Sequence, residues 1–310
     1  MNFKGLFKDS HFLIQLFLIL VVIFTGAFIF SFIGMLVIFI KSGFSMELLT
    51  GVMESGGLMD YPDYARELQF FASLGTFILP AIALAYIYSD NYKEYLQIDQ
   101  PISLSITLWT IVSMVVLLPF MNYIAYLNQQ MVFPESLKWL EDMMRAAEEA
   151  NGKIIEAILM TDSLWGFILN IVVVAIFAGV GEEFMFRGVL QNVFKKAIRN
   201  EHIVIWSVAI IFSAIHFQFY GFIPRMLLGA YFGYVLYYTR NMWMAVLAHL
   251  THNLMGVVAA YTLQDDPAKM EELDAIGLGS TTWMAAVSVV LWAFAFWQIK
   301  RKGMSQNLSS

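Results

Sequence analysis

Apolar runs of membrane-spanning length recur along this chain and constrain its fold more than any other feature. A bilayer span needs about 20 mostly apolar residues. Lipid also requires that the backbone be hydrogen-bonded within a helix or a closed barrel, and the runs lack the alternation of barrel strands. We therefore predict an all-α, polytopic membrane helix bundle with about eight transmembrane helices. The predicted spans are 12–40, 68–88, 103–127, 164–194, 203–218, 222–239, 242–262 and 281–299, the fifth being short for a span.

Composition narrows the class of protein further. The chain is 59% hydrophobic and only 14% charged, which excludes a large soluble domain. A net charge of −6 and the lack of a basic patch argue against a nucleic-acid partner. Because the chain has no cysteine, a disulfide framework, a thiol nucleophile and thiolate metal sites are all excluded. Histidine, glutamate, aspartate and asparagine remain as candidate ligands and catalysts.

The loops predict a topology in the cell membrane. The first run is too long for a signal-peptide core, so we expect it to remain as a transmembrane helix. Lysine and arginine are more frequent on the side of the termini, so we predict that both termini are cytoplasmic. We divide the one integral membrane domain into N-terminal helices and a long outer loop (1–163), core helices (164–262), and a last loop, helix and basic tail (263–310).

The third outer loop, 128–163, is the longest connection. Apolar residues recur at helical spacing among charged ones over Ser136 to Ile158. This pattern predicts an amphipathic helix that lies on the membrane or over the bundle. A solvated surface helix is an equally good interpretation.

Three apolar runs are interrupted by ionisable or amide side chains. A charged side chain at the bilayer centre costs roughly 2.5–3.5 kcal/mol on insertion scales, so such residues indicate a functional site. Together they provide the groups that a hydrolase needs. The residues are Glu182, Glu183 and Arg187 in the fourth run, His216 in the fifth, and His249 and Asn253 in the seventh.

The two adjacent glutamates are predicted to play different parts. Glu183 and Arg187 are four residues apart and share one helix face, whereas Glu182 points about 100° away. A carboxylate paired with arginine is a poor base, and an unpaired one is free to accept a proton. Glu182 is therefore the candidate general base, and Glu183 with Arg187 the supporting pair. The alternative is that both acids only cap or lock helices.

The histidines and the asparagine complete the candidate site. His249 and Asn253 are also four residues apart, which presents either a donor pair to an oxyanion or two ligands to a metal. Each residue has a structural alternative. His216 is then a hydrogen-bonded interfacial residue, Asn253 a bridge between helices, and His252 a polar contact with a neighbouring helix.

The order of these motifs resembles a known family. Glu-Glu-x-x-x-Arg (182–187), Phe-x-x-x-His (212–216) and His-x-x-x-Asn (249–253) look like the three motifs of the CAAX protease and bacteriocin-processing (CPBP, ABI) family. The resemblance covers about 165–260, and the segment 221–233 is similar to bacterial members. One departure is Arg240, where a small residue such as glycine is expected.

The resemblance implies an intramembrane endopeptidase of the glutamate-dependent kind. Glu182 and His216 would activate a water molecule, and His249 and Asn253 would stabilise the oxyanion. The implied partners are the lipid bilayer and a membrane-associated protein or peptide substrate.

Other functions stay open at this point. A zinc-dependent membrane protease would use Glu182, His216 and His249 as ligands, although we favour no cofactor. Some proteins with these motifs act without cleavage, in bacteriocin immunity or as membrane scaffolds. A proton-coupled transporter ranks last because the chain shows no internal repeat.

Overall fold

The computed structural model describes residues 3–54 and 57–307, apart from the side chain of Asn307. Over these residues the chain forms helices joined by turns and contains no strand. We label the longer helices in chain order. They are α1 (Phe12–Lys41), α2 (Met46–Met53), α3 (Pro62–Tyr88), α4 (Leu104–Gln129), α5 (Lys138–Leu159), α6 (Leu164–Ala197), α7 (Glu201–Ala214), α8 (Phe222–Thr239), α9 (Met242–Leu263), α10 (Pro267–Asp274) and α11 (Thr282–Asn307).

The predicted fold class is confirmed, whereas the count of eight spans is not. Six helices in the described part of the chain are long and apolar enough to cross a membrane: α1, α3, α4, α6, α9 and α11. Helix α7 has 14 residues, so it is about 21 Å long against a hydrocarbon core of about 30 Å. Helix α8 has 18 residues and is not among the six. The chain is a multi-pass membrane protein.

Helix α1 lies at the edge of the bundle. Its 30 residues are almost uniformly apolar, and one side carries exposed phenylalanines at helical spacing, Phe17, Phe24, Phe28 and Phe32. Such a row suits contact with lipid chains rather than water. The more buried helices lie inside this edge, and α6 packs against α9 there.

Helix α6 carries the acidic motif on an irregular backbone. Two π-helical segments, Ile171–Phe177 and Phe184–Leu190, flank the α-helical stretch Ala178–Glu183. A π turn inserts a residue into the helix and changes the direction of the side chains that follow it, and such turns are frequent at functional sites. The second π segment is entirely buried, which fixes the motif in the core.

The predicted amphipathic helix is present as α5 and lies over the bundle. Glu148 accepts a hydrogen bond from the backbone N–H of Tyr220 at 2.8 Å, and the guanidinium of Arg145 stacks 4.1 Å from the centre of the Tyr220 ring. Tyr220 belongs to the short connection between α7 and α8. Helix α5 therefore covers the end of the bundle at which that connection lies.

The opposite end of the bundle gathers basic residues. The Lys196 ammonium donates to the backbone carbonyl of Lys8 at 2.6 Å, and Lys8 pairs with Asp90 at 2.6 Å. The N-terminal turn is attached there by a hydrogen bond from Phe7 N–H to the carbonyl of Ile87 at 2.8 Å. The cytoplasmic location of the termini stays a prediction.

Candidate active site

A buried carboxylate joins two helices at the candidate site. Glu183 of α6 accepts hydrogen bonds on one oxygen, Oε1, from Arg187 Nη1 at 2.9 Å and from His249 Nδ1 of α9 at 2.8 Å. The Glu183 side chain is fully buried. The predicted pairing of Glu183 with Arg187 is thus present. The contact with His249 was not predicted, since it depends on how α6 and α9 pack.

Arg187 holds a third helix to this centre. Its Nη2 donates to the backbone carbonyl of Gly229 in α8 at 2.9 Å. The guanidinium also lies 4.4 Å from the centre of the Phe212 ring and 5.5 Å from that of Phe232, where cation–π attraction applies. A Cβ at Gly229 would lie 3.2 Å from Nη2, so this close approach suits glycine. Arg187 therefore acts as a buried structural cation.

His249 has a fixed orientation. Its ring stacks on Phe232 with centroids 4.9 Å apart and meets the edge of Phe212 at 6.0 Å. An ionised carboxylate only accepts hydrogen bonds, so we assign a proton to Nδ1, which faces Glu183. The other nitrogen, Nε2, lies 3.8 Å from Glu182 Oε2. His249 thus lies between Glu183, which it contacts through Nδ1, and Glu182, which it approaches through Nε2.

Glu182 differs from Glu183 in both exposure and bonding. Its side chain is 15% exposed, against 0% for Glu183. Within the described part of the chain it accepts no hydrogen bond, and its nearest charged partner is His249. The helical spacing predicted this separation of the two acids. Glu182 is therefore the carboxylate that remains accessible to a reactant.

His216 lies in the turn that follows α7. Its Nδ1 is 2.8 Å from the backbone carbonyl of Phe212, and its ring meets the edge of the Phe212 ring at 5.2 Å. A carbonyl accepts only, so Nδ1 carries the proton and Nε2 remains an acceptor in the neutral ring. His216 and His249 both contact Phe212, which places the two imidazoles around one aromatic ring.

Asn253 bridges two helices. Its Nδ2 donates to the backbone carbonyl of Val174 at 3.0 Å, in the first π segment of α6. This contact matches the structural alternative for Asn253 and leaves one hydrogen of Nδ2 for another acceptor. His252 interacts electrostatically with His249 and with Arg225.

The residues of the zinc alternative do not form a ligand set. Across residues 3–54 and 57–307, no group of three or more histidine, aspartate or glutamate side chains converges closely enough to hold a metal ion. Glu182 and His249 approach one another, and His216 uses Nδ1 for its bond to Phe212. The described side chains therefore do not form a gathered set of three ligands, and the absence of a metal stays a prediction.

Arg225, near the start of α8, is a further charged neighbour of the site that the motifs did not identify. Its guanidinium interacts electrostatically with Glu182 and with His216. The only signal in the sequence is a cation within the apolar run that starts at Phe222.

Comparison with protein families gives one match. Residues 164–255 match the family model described as Type II CAAX prenyl endopeptidase Rce1-like. No curated protein and no solved structure matches the chain. The matched segment contains all three motifs and the residues that converge around Glu183. The match covers less than half of the chain, and it supports a membrane peptidase that is similar to the CAAX prenyl endopeptidases over this segment.

Proposed function

We propose that the chain is a glutamate-dependent intramembrane endopeptidase in which Glu182 is the general base. Glu182 removes a proton from a water molecule, and the resulting hydroxide attacks the carbonyl carbon of the scissile peptide bond. His216 orients the same water by accepting its second hydrogen through Nε2. When the C–N bond breaks, Glu182 gives its proton to the leaving nitrogen, so the products are a new carboxyl and a new amino terminus.

This proposal rests on the different environments of Glu182 and Glu183. Glu183 is fully buried and holds both Arg187 and His249 through one oxygen. Glu182 is 15% exposed and, among the described residues, accepts no hydrogen bond that would compete with a water molecule. The free oxygen of Glu183 is buried, so Glu182 is the acid that a water molecule can reach for proton transfer.

We assign the oxyanion site to His249 and Asn253. With Nδ1 bonded to Glu183, His249 presents Nε2 on the side of Glu182. In this proposal a proton on Nε2 and the second amide hydrogen of Asn253 donate to the negative oxygen of the tetrahedral intermediate. One such donor contributes roughly 2.7–4 kcal/mol to transition-state stabilisation. Glu183 and Arg187 are positioning residues, because they hold His249 in place.

The proposed substrate is a membrane-associated protein or peptide. A helical peptide bond is shielded by its own hydrogen bonds, so the segment to be cut must be unwound where it meets Glu182. The family description names prenyl endopeptidases, so a farnesylated peptide is one suitable probe beside an unmodified one.

The direct test compares Glu182→Gln with the wild type. Both purified proteins would be incubated with a random decapeptide library, with and without a farnesylated cysteine, and cleavage read by mass spectrometry. We expect kcat to fall by at least about 100-fold, because a general base contributes that much or more. Glu149→Gln, an exposed glutamate on α5, is the matched control and should keep full activity. Undiminished cleavage by folded Glu182→Gln would remove the proposal.

We also propose that water is activated without a metal. The test is the cleavage rate after exhaustive chelation, together with metal analysis of the purified protein. We expect full activity in protein that contains far less than one metal ion per chain. Loss of activity on chelation that zinc restores would support the zinc alternative instead.

A further inference from the structure

Arg225 is a charged residue that the proposed mechanism does not use. Its Nη2 donates to Gln218 Oε1 at 2.5 Å, whereas its Nη1 is buried without a hydrogen-bond partner. Within the described residues it also forms no ion pair with a carboxylate. A buried donor without a partner is costly, and more so when it is charged. This nitrogen is therefore a candidate for binding an acceptor from outside the chain.

The surroundings of Arg225 are those of the active site. Its guanidinium interacts electrostatically with the carboxylates of Glu182 and Glu148 and with the imidazoles of His216 and His252. Glu148 is already committed to the backbone N–H of Tyr220. An anion bound at Arg225 would therefore lie beside the residues that we assign to water activation.

Residues 218–221, which precede helix α8, fix the position of the Arg225 guanidinium. A Cβ at Gly221 would lie 3.0 Å from Arg225 Nη2, so a side chain there would displace the group. Gln218 holds the same nitrogen from the other end of the turn. Arg187 also has a nitrogen without a hydrogen-bond partner, Nε, but its side chain is only 1% exposed and is bonded to both Glu183 and Gly229. Arg225 is only partly buried, so it is the one of the two arginines that a ligand can approach.

We propose that Arg225 binds a carboxylate of the substrate peptide and so selects substrates that carry one near the scissile bond. The planar guanidinium matches a carboxylate in a two-pronged hydrogen bond. It also offsets the repulsion between an anionic substrate and Glu182. The carboxylate is either the C-terminal group of the peptide or an aspartate or glutamate side chain. The inference rests on the proposed function, because it places the peptide at Glu182.

The experiment measures binding, so that it does not depend on cleavage. Protein carrying Glu182→Gln, in phosphatidylcholine nanodiscs, would be incubated with random hexapeptides that have either a free or an amidated C-terminus. The bound fraction would be quantified by mass spectrometry. A preference for free over amidated peptides identifies the terminal carboxylate as the ligand. A preference for Asp or Glu over Asn or Gln among amidated peptides identifies a side chain.

We expect one of these preferences to be roughly tenfold to hundredfold, as for a hydrogen bond to a charged group. In the same background, Arg225→Gln should abolish it and Arg225→Lys should reduce it, because lysine keeps the charge but lacks the fork. Gly221→Ala should weaken it by moving the guanidinium. Arg199→Gln, an exposed arginine elsewhere in the chain, should leave it unchanged.

Two results would overturn the inference. One is equal binding of acidic, free and amidated peptides to the Glu182→Gln protein. The other is a preference that survives in correctly folded Arg225→Gln, or in Arg225→Lys if that glutamine variant does not fold. By contrast, peptide cleavage by Glu182→Gln would contradict the general-base proposal and leave the carboxylate comparison intact, so the two failures are distinguishable.

Discussion

At the scale of single residues, two neighbouring glutamates illustrate how burial separates catalysis from stability. Glu183 neutralises Arg187 and orients His249, while Glu182 accepts no hydrogen bond from the residues that the structure describes. A substitution at either position removes one negative charge. The consequences should nevertheless differ, because only one of the two charges has a buried cation that depends on it.

We predict that Glu183→Gln destabilises the protein strongly. The change leaves the Arg187 guanidinium buried without its ionic partner, and breaking such a pair costs about 3–5 kcal/mol. The Tm in detergent should fall clearly below that of wild type. Glu182→Gln is the matched control and should keep the wild-type Tm. The double variant Glu183→Gln/Arg187→Met should recover part of the loss, and equal Tm values for the two single variants would contradict the assignment.

Helical spacing predicted some of these contacts and not others. The pairing of Glu183 with Arg187 follows from one helix, whose geometry is the same in every protein. The bonds from His249 to Glu183 and from Asn253 to Val174 each join α9 to α6. They depend on how two helices far apart in the sequence pack together. The electrostatic interaction of Arg225 with Glu182 and His216 was not predicted, because it also depends on how the helices pack.

Arg240 shows a local departure that the backbone explains. The family resemblance led us to expect a small residue such as glycine at this position, and Arg240 adopts a left-handed conformation with φ of 52° after the end of α8. Residues with a Cβ rarely adopt that conformation, and glycine does so readily. The expectation of a small residue thus reflected the turn that joins α8 to α9.

At the scale of helices, hydrophobic runs predicted where helices exist better than what kind they are. The π-helical segments in α6 have the same apolar composition as the α-helical turns around them, so no periodicity signals them. The end of α7 was also misplaced. The run extends to residue 218, but the helix ends at Ala214 and Phe217 takes a left-handed φ of 52°. The apolar residues that continue there are exposed at the surface of the bundle, Ile215 at 39% and Phe217 at 82%, which suits contact with lipid rather than water.

We predict that helix α5 loses its contact with the connection that precedes it, at Phe133, when the pH is low. The backbone N–H of Phe133, and next the guanidinium of Arg145, lower the pKa of Glu141 below its usual 4.5. A lowered folded-state pKa means that the stabilisation is present above pH 4.5 and lost as the pH falls through the folded-state value. The protection of α5 amides against hydrogen exchange, measured relative to the intrinsic exchange rate at each pH, should therefore fall as the pH drops below about 4.

The matched control for this prediction is Glu141→Gln. Glutamine cannot ionise, so α5 of this variant should already have low protection at neutral pH, and acidification should lower that protection little further. Glu149→Gln, which alters an exposed pair on the same helix, should behave like wild type. Acid-induced exchange of equal size in Glu141→Gln would show that another group is responsible.

At the scale of the whole molecule, the two ends of the bundle provide a test of orientation. Because the natural chain has no cysteine, single cysteines report the side of the membrane without interference. In intact cells that express the protein, a membrane-impermeant maleimide should label Glu149→Cys on α5. It should label Ser10→Cys and Ser305→Cys only after permeabilisation, because we place both termini in the cytoplasm.

The labelling pattern separates the alternatives for topology. The reverse labelling pattern would show that the protein has the opposite orientation in the membrane. Labelling of only one of the two terminal cysteines in intact cells would require an odd number of crossings. Composition predicted the class of protein, but the number of crossings depends on α7 and α8, whose lengths and polarity are marginal for a bilayer.

The short helix α7 has a physical consequence for the membrane around it. At about 21 Å it falls roughly 9 Å short of a typical hydrocarbon core, so its two ends cannot both reach the headgroups of an unperturbed bilayer. If its first turn lies at one interface, the turn that carries His216 falls within the acyl-chain layer. Hydrophobic mismatch of this kind is relieved by local thinning of the leaflet. The lipid itself would then provide a shallow depression through which water reaches a buried peptide bond.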